Sequence, residues 1–185
     1  MPILREEPPL FPEDLFQRCV HESAERCWWV LYTKARQEKA LARDLVSLEI
    51  PFYLPQVKRT SVSRGRRFTS WVPLFGGYVF LFASETERVR TLATNRISRV
   101  LEVRDPERLV FDLTQLRALI AADAPLTVES RLEPGRRVRV RQGALMGIEG
   151  TVLSRRGDVR LLVAVDFLQQ GASVEIEDSL LEPLD

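Results

Sequence analysis

The chain has 185 residues, 45% hydrophobic and 29% charged, with a formal net charge of +1; this bounds it to one or two ordinary globular domains. No apolar run reaches the length of a membrane span. One histidine, two cysteines too far apart for a CxxC motif and no phosphate-binding loop argue against an enzyme, a metal site or a cofactor.

The small net charge hides an asymmetry. Residues 28–104 carry 14 Lys/Arg against 6 Asp/Glu, a local net of +8, while every other stretch is neutral to acidic. One basic region in an otherwise balanced chain fits a protein that works beside nucleic acid within an assembly. The start of the chain is rich in prolines and acids where a signal peptide would be basic and then apolar, so a cytoplasmic location is expected. Residues 1–27 are expected to be an extension with one short helix over 14–25, and His21 in it a surface residue.

Trp28 to Thr33 reads as a buried strand rich in aromatic and β-branched residues. Residues 35–48 read as a helix, with Leu41, Leu45 and Leu48 on one face and Arg36, Lys39 and Arg43 on the other. With Lys34 at the preceding strand end, the basic face is a candidate nucleic-acid surface. Residues 56–63 and 68–73 read as paired strands around the turn Arg64-Gly-Arg-Arg67, a hairpin with a cationic tip. Arg64, Arg66 and Arg67 are candidates for phosphate contacts, which carry no sequence information.

Trp71 to Phe82 is the most apolar run, broken by Pro73 and Gly76-Gly77. From Tyr78 onward both faces are large and apolar, as in a central strand covered on both sides. Tyr78, Phe80 and Phe82 share one face, either as core or with Tyr78 and Phe80 reaching the surface as partner anchors. A helix over 85–94 and a strand over 97–103 complete an α+β domain of helices against an antiparallel sheet. Leu109, Leu113, Leu116 and Ile120 form a helical stripe that ends this domain at residue 122, and a linker is expected over 123–131. From residue 132 onward, alternating Val138/Val140 and arginines, glycine turns and closely spaced short strands predict a small β-barrel.

Trp28-Trp-Val-Leu-Tyr-Thr-Lys34, the amphipathic helix and Pro73-Leu-Phe-Gly-Gly-Tyr-Val-Phe80 together resemble the N-terminal domain of NusG-type transcription factors. Glu133-Pro-Gly-Arg-Arg-Val-Arg-Val-Arg-Gln-Gly-Ala-Leu-Met-Gly-Ile-Glu-Gly-Thr-Val152 resembles a KOW motif. The resemblance implies a non-enzymatic, monomeric elongation or antitermination factor. Such a factor binds the clamp of the largest RNA polymerase subunit and reduces pausing or termination. By motif position Tyr32, Tyr78 and Phe80 match pocket-forming aromatics. Lys34, Arg36 and Arg43 match contacts to the non-template DNA strand. Leu145, Met146, Ile148, Phe167 and Leu168 match the KOW surface that recruits NusE or Rho. The residues Glu87-Arg-Val89 do not match the family's contact to the other cleft wall. Gly76-Gly77 in place of Pro-Gly, the long extension and the 113–120 helix point to a specialised paralogue. Pro134 and the later glycines argue for a stable barrel over a helical hairpin. The competing reading is a structural RNA-binding KOW protein of the ribosome, against which stands the net charge of −1 over residues 131–185.

Overall fold

A computed structural model describes residues 7–22, 24–132 and 135–184. Two compact units divide the chain, one up to Arg104 and one from Asp105. The first is mixed α/β around a five-stranded antiparallel sheet. Its elements are β1 (Leu10–Phe11), α1 (Leu15–His21), β2 (Cys27–Thr33), α2 (Glu38–Ser47), β3 (Phe52–Tyr53), β4 (Gln56–Ser63), β5 (Arg66–Pro73), β6 (Tyr78–Ala83), α3 (Glu85–Leu92) and β7 (Ile97–Glu102). The sheet order is β1-β3-β6-β2-β7, so the most apolar strand, β6, is central. Leu31, Val79, Leu81 and Phe52 pack on one side with Leu41, Ala42 and Leu45 of α2, all fully buried. This is the apolar stripe read from the sequence, and its burial is what holds a ten-residue helix too short to be stable alone.

The opposite face carries a larger aromatic cluster. Trp28 pairs with Phe82, Val30 with Phe80 and Tyr32 with Tyr78 across β2 and β6, and Tyr53 of β3 pairs with Phe80. Phe16 of α1 stacks on Trp28 at 6.1 Å between ring centroids and meets Tyr53 edge-on at 5.4 Å. Leu15 of the same helix is fully buried, and β1 extends the sheet beside β3. Residues 7–22 are therefore part of the domain, not an extension from it; residues 1–6 lie outside the described residues.

β4 and β5 form a sheet of their own. Arg64 and Gly65 between them have φ of 49° and 75°. Two successive left-handed residues are the two-residue turn whose twist suits a hairpin, so Arg66 and Arg67 begin the returning strand and do not lie in the turn. At the start of α3, Ser84 Oγ accepts from the Glu87 amide and Glu87 Oε2 accepts from the Ser84 amide at 2.8 Å, a reciprocal cap.

The second unit contains α4 (Pro106–Ala121), β8 (Thr127–Glu129), β9 (Arg137–Val140), β10 (Glu149–Arg155), β11 (Asp158–Val165), β12 (Gln170–Glu175) and β13 (Leu181–Pro183). They make a six-stranded antiparallel sheet in the order β13-β9-β10-β11-β12-β8. Two sequence expectations change here. α4 does not close the first domain: it packs along β11, burying Leu109, Leu113, Leu116 and Leu119, with Ile120 only half-buried. Two hydrogen bonds fix it, from the Asp166 amide to Asp112 Oδ2 at 2.9 Å and from the Glu149 amide to Gln115 Oε1 at 2.9 Å. Burial pushes the Asp112 carboxyl above its ordinary range, against the opposing pull of the Asp166 amide and Arg108. The expected linker also contains β8, which pairs with β12. The 132–183 region is β-structured, with no helical hairpin among its described residues. Pro134, offered as one reason for that, lies outside the described residues.

A candidate functional site: an aromatic pair and a cationic hairpin

Tyr32 and Tyr78 face each other across β2 and β6 with ring centroids 5.1 Å apart and planes at 53°. Tyr32 is 40% exposed and Tyr78 half-buried, so together they present an aromatic surface at one end of the sheet. The backbone beneath is held from both sides. The Gly77 amide donates to Glu38 Oε1 at 2.6 Å, and the Gly77 carbonyl accepts from the Thr33 amide at 2.8 Å. Gly77 itself has φ of 87°, and a Cβ there would lie 2.7 Å from Cε2 of Tyr32. Only glycine allows that ring its place.

Phe80 does not join this surface. It is 0% exposed and stacks on Tyr53, which Phe16 covers. Its side chain shares a face with Tyr78, as the alternation required, but its strand position is deeper and roofed. The partner-anchor role offered for Phe80 is corrected to core.

The two candidate basic surfaces differ in character. On and before α2, Lys34 donates to Asn95 Oδ1 at 2.8 Å and Arg43 is paired with the buried Glu7. Arg36 is exposed at φ of 60°, and Lys39 is half-buried. This face is thus partly satisfied from within. The hairpin is not. No carboxylate occurs between Glu49 and Glu85, and Arg59, Arg64, Arg66 and Arg67 are exposed with no ion pair among the described residues. Lys58 lies over the Trp71 ring at 5.2 Å. Sequence reasoning took the tip arginines and missed Arg59 and Phe68, which are exposed and stand across the ladder from Ser70 and Ser61. That contrast in side-chain size was readable.

Glu87 and its neighbours are occupied internally. Arg26 donates to Glu87 through Nε at 2.9 Å and Nη2 at 2.7 Å. Those bonds hold the Glu87 carboxyl down at about 2, with burial acting against them and the Ser84 amide reinforcing. Val89 on the outer side of α3 is exposed.

Residues 26–112 match the family model described as "Transcription termination factor nusG". That segment is a NusG domain. No curated protein gives a match to the chain. The NusG domain supports a role in transcription, and the proteins of that family are non-enzymatic. No helix among its described residues is long and apolar enough to cross a membrane.

In the second unit, Met146 is 69% exposed, Phe167 is exposed, and Leu145 and Leu168 are half-buried. Ile148, also expected at a partner surface, is only 4% exposed, and its amide and carbonyl are both hydrogen-bonded in the loop from β9 to β10. It anchors that loop from inside and is corrected to core.

Proposed function

We propose that the protein is an elongation or antitermination factor that docks on the RNA polymerase clamp through the Tyr32–Tyr78 end of its sheet. The observation that carries this is the Tyr32–Tyr78 pair, partly exposed and set against a glycine where any side chain would be strained, inside a domain that matches the NusG family. Exposed aromatics with locked backbones are suited to be binding anchors, because little freedom is lost on contact. Phe80 supports the pair from below.

The hairpin and the α2 face lie near nucleic acid in this reading, the hairpin carrying the larger share of unsatisfied charge. The second unit is a KOW barrel that recruits a further protein, NusE or Rho, through Met146, Phe167, Leu145 and Leu168. Supporting it are its short strands and the left-handed glycines at 143, 147 and 157. The built-in N-terminal segment and α4 favour a specialised paralogue acting in the cytoplasm as a monomer.

The test is a pull-down of core RNA polymerase with the wild type, Tyr32→Ala, Tyr78→Ala and Phe80→Leu, each shown to be folded by near-ultraviolet circular dichroism. The tyrosine variants are expected to lose binding at least tenfold and Phe80→Leu to keep it. Binding that survives both tyrosine changes would remove the docking site, and no binding by the wild type would favour the structural RNA-binding reading.

A further inference from the structure

We infer that one face of the β4–β5 hairpin is a single-strand-selective nucleic-acid platform, with Phe68 stacking on a base and Arg59 and Arg66 holding the flanking phosphates. The inference rests on the reading of the protein as a transcription factor working beside nucleic acid, and adds to it the form of the strand and the mode of contact.

The strand register assigns the faces. Ser61 is opposite Phe68, Arg59 opposite Ser70, Ser63 opposite Arg66 and Val57 opposite Val72. Because side chains alternate, these residues share one face, and Lys58, Thr60, Val62, Arg67, Thr69 and Trp71 share the other. On the first face Phe68 has a serine directly across the ladder, another two residues along its own strand at Ser70, and a third on the diagonal at Ser63. Residues this short cannot shield a phenyl ring, and Phe68 is 51% exposed. Among the described residues it has no aromatic partner, unlike Phe16, Phe80 and Phe82 in the same unit.

An exposed phenylalanine in a soluble protein invites a partner. The charge around it selects which one. Arg66 adjoins Phe68 on its own strand face and Arg59 sits on the diagonal, within the reach of long side chains. Neither guanidinium is ion-paired among the described residues, and the whole segment between Glu49 and Glu85 lacks a carboxylate. A cationic strip with a bare ring in the middle is the combination that binds single strands: phosphates follow the cations and a base covers the ring. An apolar protein partner would instead be met by a continuous apolar patch. A closed duplex offers phosphates, but its bases are stacked on each other and unavailable to the ring.

The test is fluorescence anisotropy of a labelled oligothymidylate and of a labelled duplex, each titrated with the full chain at one fixed salt concentration. Variants are Phe68→Ala, Phe68→Leu, Phe68→Trp and the double change Arg59→Ala/Arg66→Ala. Phe68→Ala and Phe68→Leu are each expected to weaken single-strand binding by about tenfold, the lower part of the range for one stacked base. They leave duplex binding within about twofold, and Phe68→Trp restores or improves the single-strand affinity. The arginine pair weakens both. Unchanged oligothymidylate binding in Phe68→Ala, or equal losses on both substrates, overturns the stacking role. Rescue by Phe68→Leu points to an apolar contact and also overturns it. Failure here leaves polymerase capture through the tyrosine pair untouched, whereas loss of that capture's tyrosine dependence leaves the anisotropy result standing, so the two ideas fail separately.

Discussion

Replacing Glu87 by glutamine removes one charge while keeping an oxygen to accept from the Ser84 amide, so the helix cap survives and only the link to Arg26 is lost. The size of the effect follows from the carboxyl's position. Its ordinary value is 4.5, and in the folded chain it is lowered to about 2. A difference of that size corresponds to at most ~3.4 kcal/mol at ~1.4 kcal/mol for each tenfold. The side chains of Glu87 and Arg26 are 16% and 27% exposed, so solvent screens the pair and ~1–2 kcal/mol is the expected loss at neutral pH. The sign is set by a carboxyl whose folded value is depressed. Its stabilisation is complete above pH 4.5, declines as pH falls through that value toward 2, and is gone below it. All three tryptophans, Trp28, Trp29 and Trp71, belong to the first unit, so urea unfolding followed by their fluorescence reads that unit alone. Measured at pH 7, 5, 4, 3 and 2.5, the gap between wild type and Glu87→Gln is expected to narrow steadily on the acid side. A gap below about 0.3 kcal/mol at pH 7, or one that does not change with pH, would refute a stabilising role for the ion pair between Arg26, just before β2, and Glu87 of α3.

Gly77→Ala places a methyl group 2.7 Å from the Tyr32 ring at a left-handed φ; a loss of ~1–3 kcal/mol is expected in the same fluorescence assay, together with weaker polymerase capture. Were stability to fall while capture stayed intact, the tyrosine pair would not need its observed geometry. Leu113→Ala empties a fully buried site between α4 and β11 and is expected to cost ~2–5 kcal/mol. Amide hydrogen exchange should show the loss over residues 137–183; protection lost in 27–102 instead would return α4 to the first unit.

Much of the fold was legible where the signal was local. The Arg64-Gly65 turn, the leucine stripe of α2 and the aromatic runs of β2 and β6 each announce themselves within a few residues. What the sequence left open was allegiance. The stripe on α4 declares that something apolar covers it, but periodicity does not say whether that is the sheet before it or the strand after it. β8 is only three residues long and follows Pro125, and its pairing with β12 lies far away in sequence. The same limit applied to the site. Alternation put Tyr78 and Phe80 on one face, and their different fates depend on Tyr53 and Phe16, which come from other segments. Ile148 lay beside exposed Met146 in the motif, yet the loop turns one side chain inward and the other outward.

The N-terminal segment separates two kinds of boundary that usually coincide. The similarity to NusG begins at residue 26, after α1 has ended. The cooperative unit begins earlier, because Leu10, Leu15 and Cys19 are buried and β1 occupies the edge of β3. A piece of chain cut where the family resemblance starts would carry every recognisable motif and yet expose Trp28, Tyr53 and a bare strand edge to water. What evolution shares with relatives and what this molecule needs in order to be soluble are, here, different lengths of polypeptide.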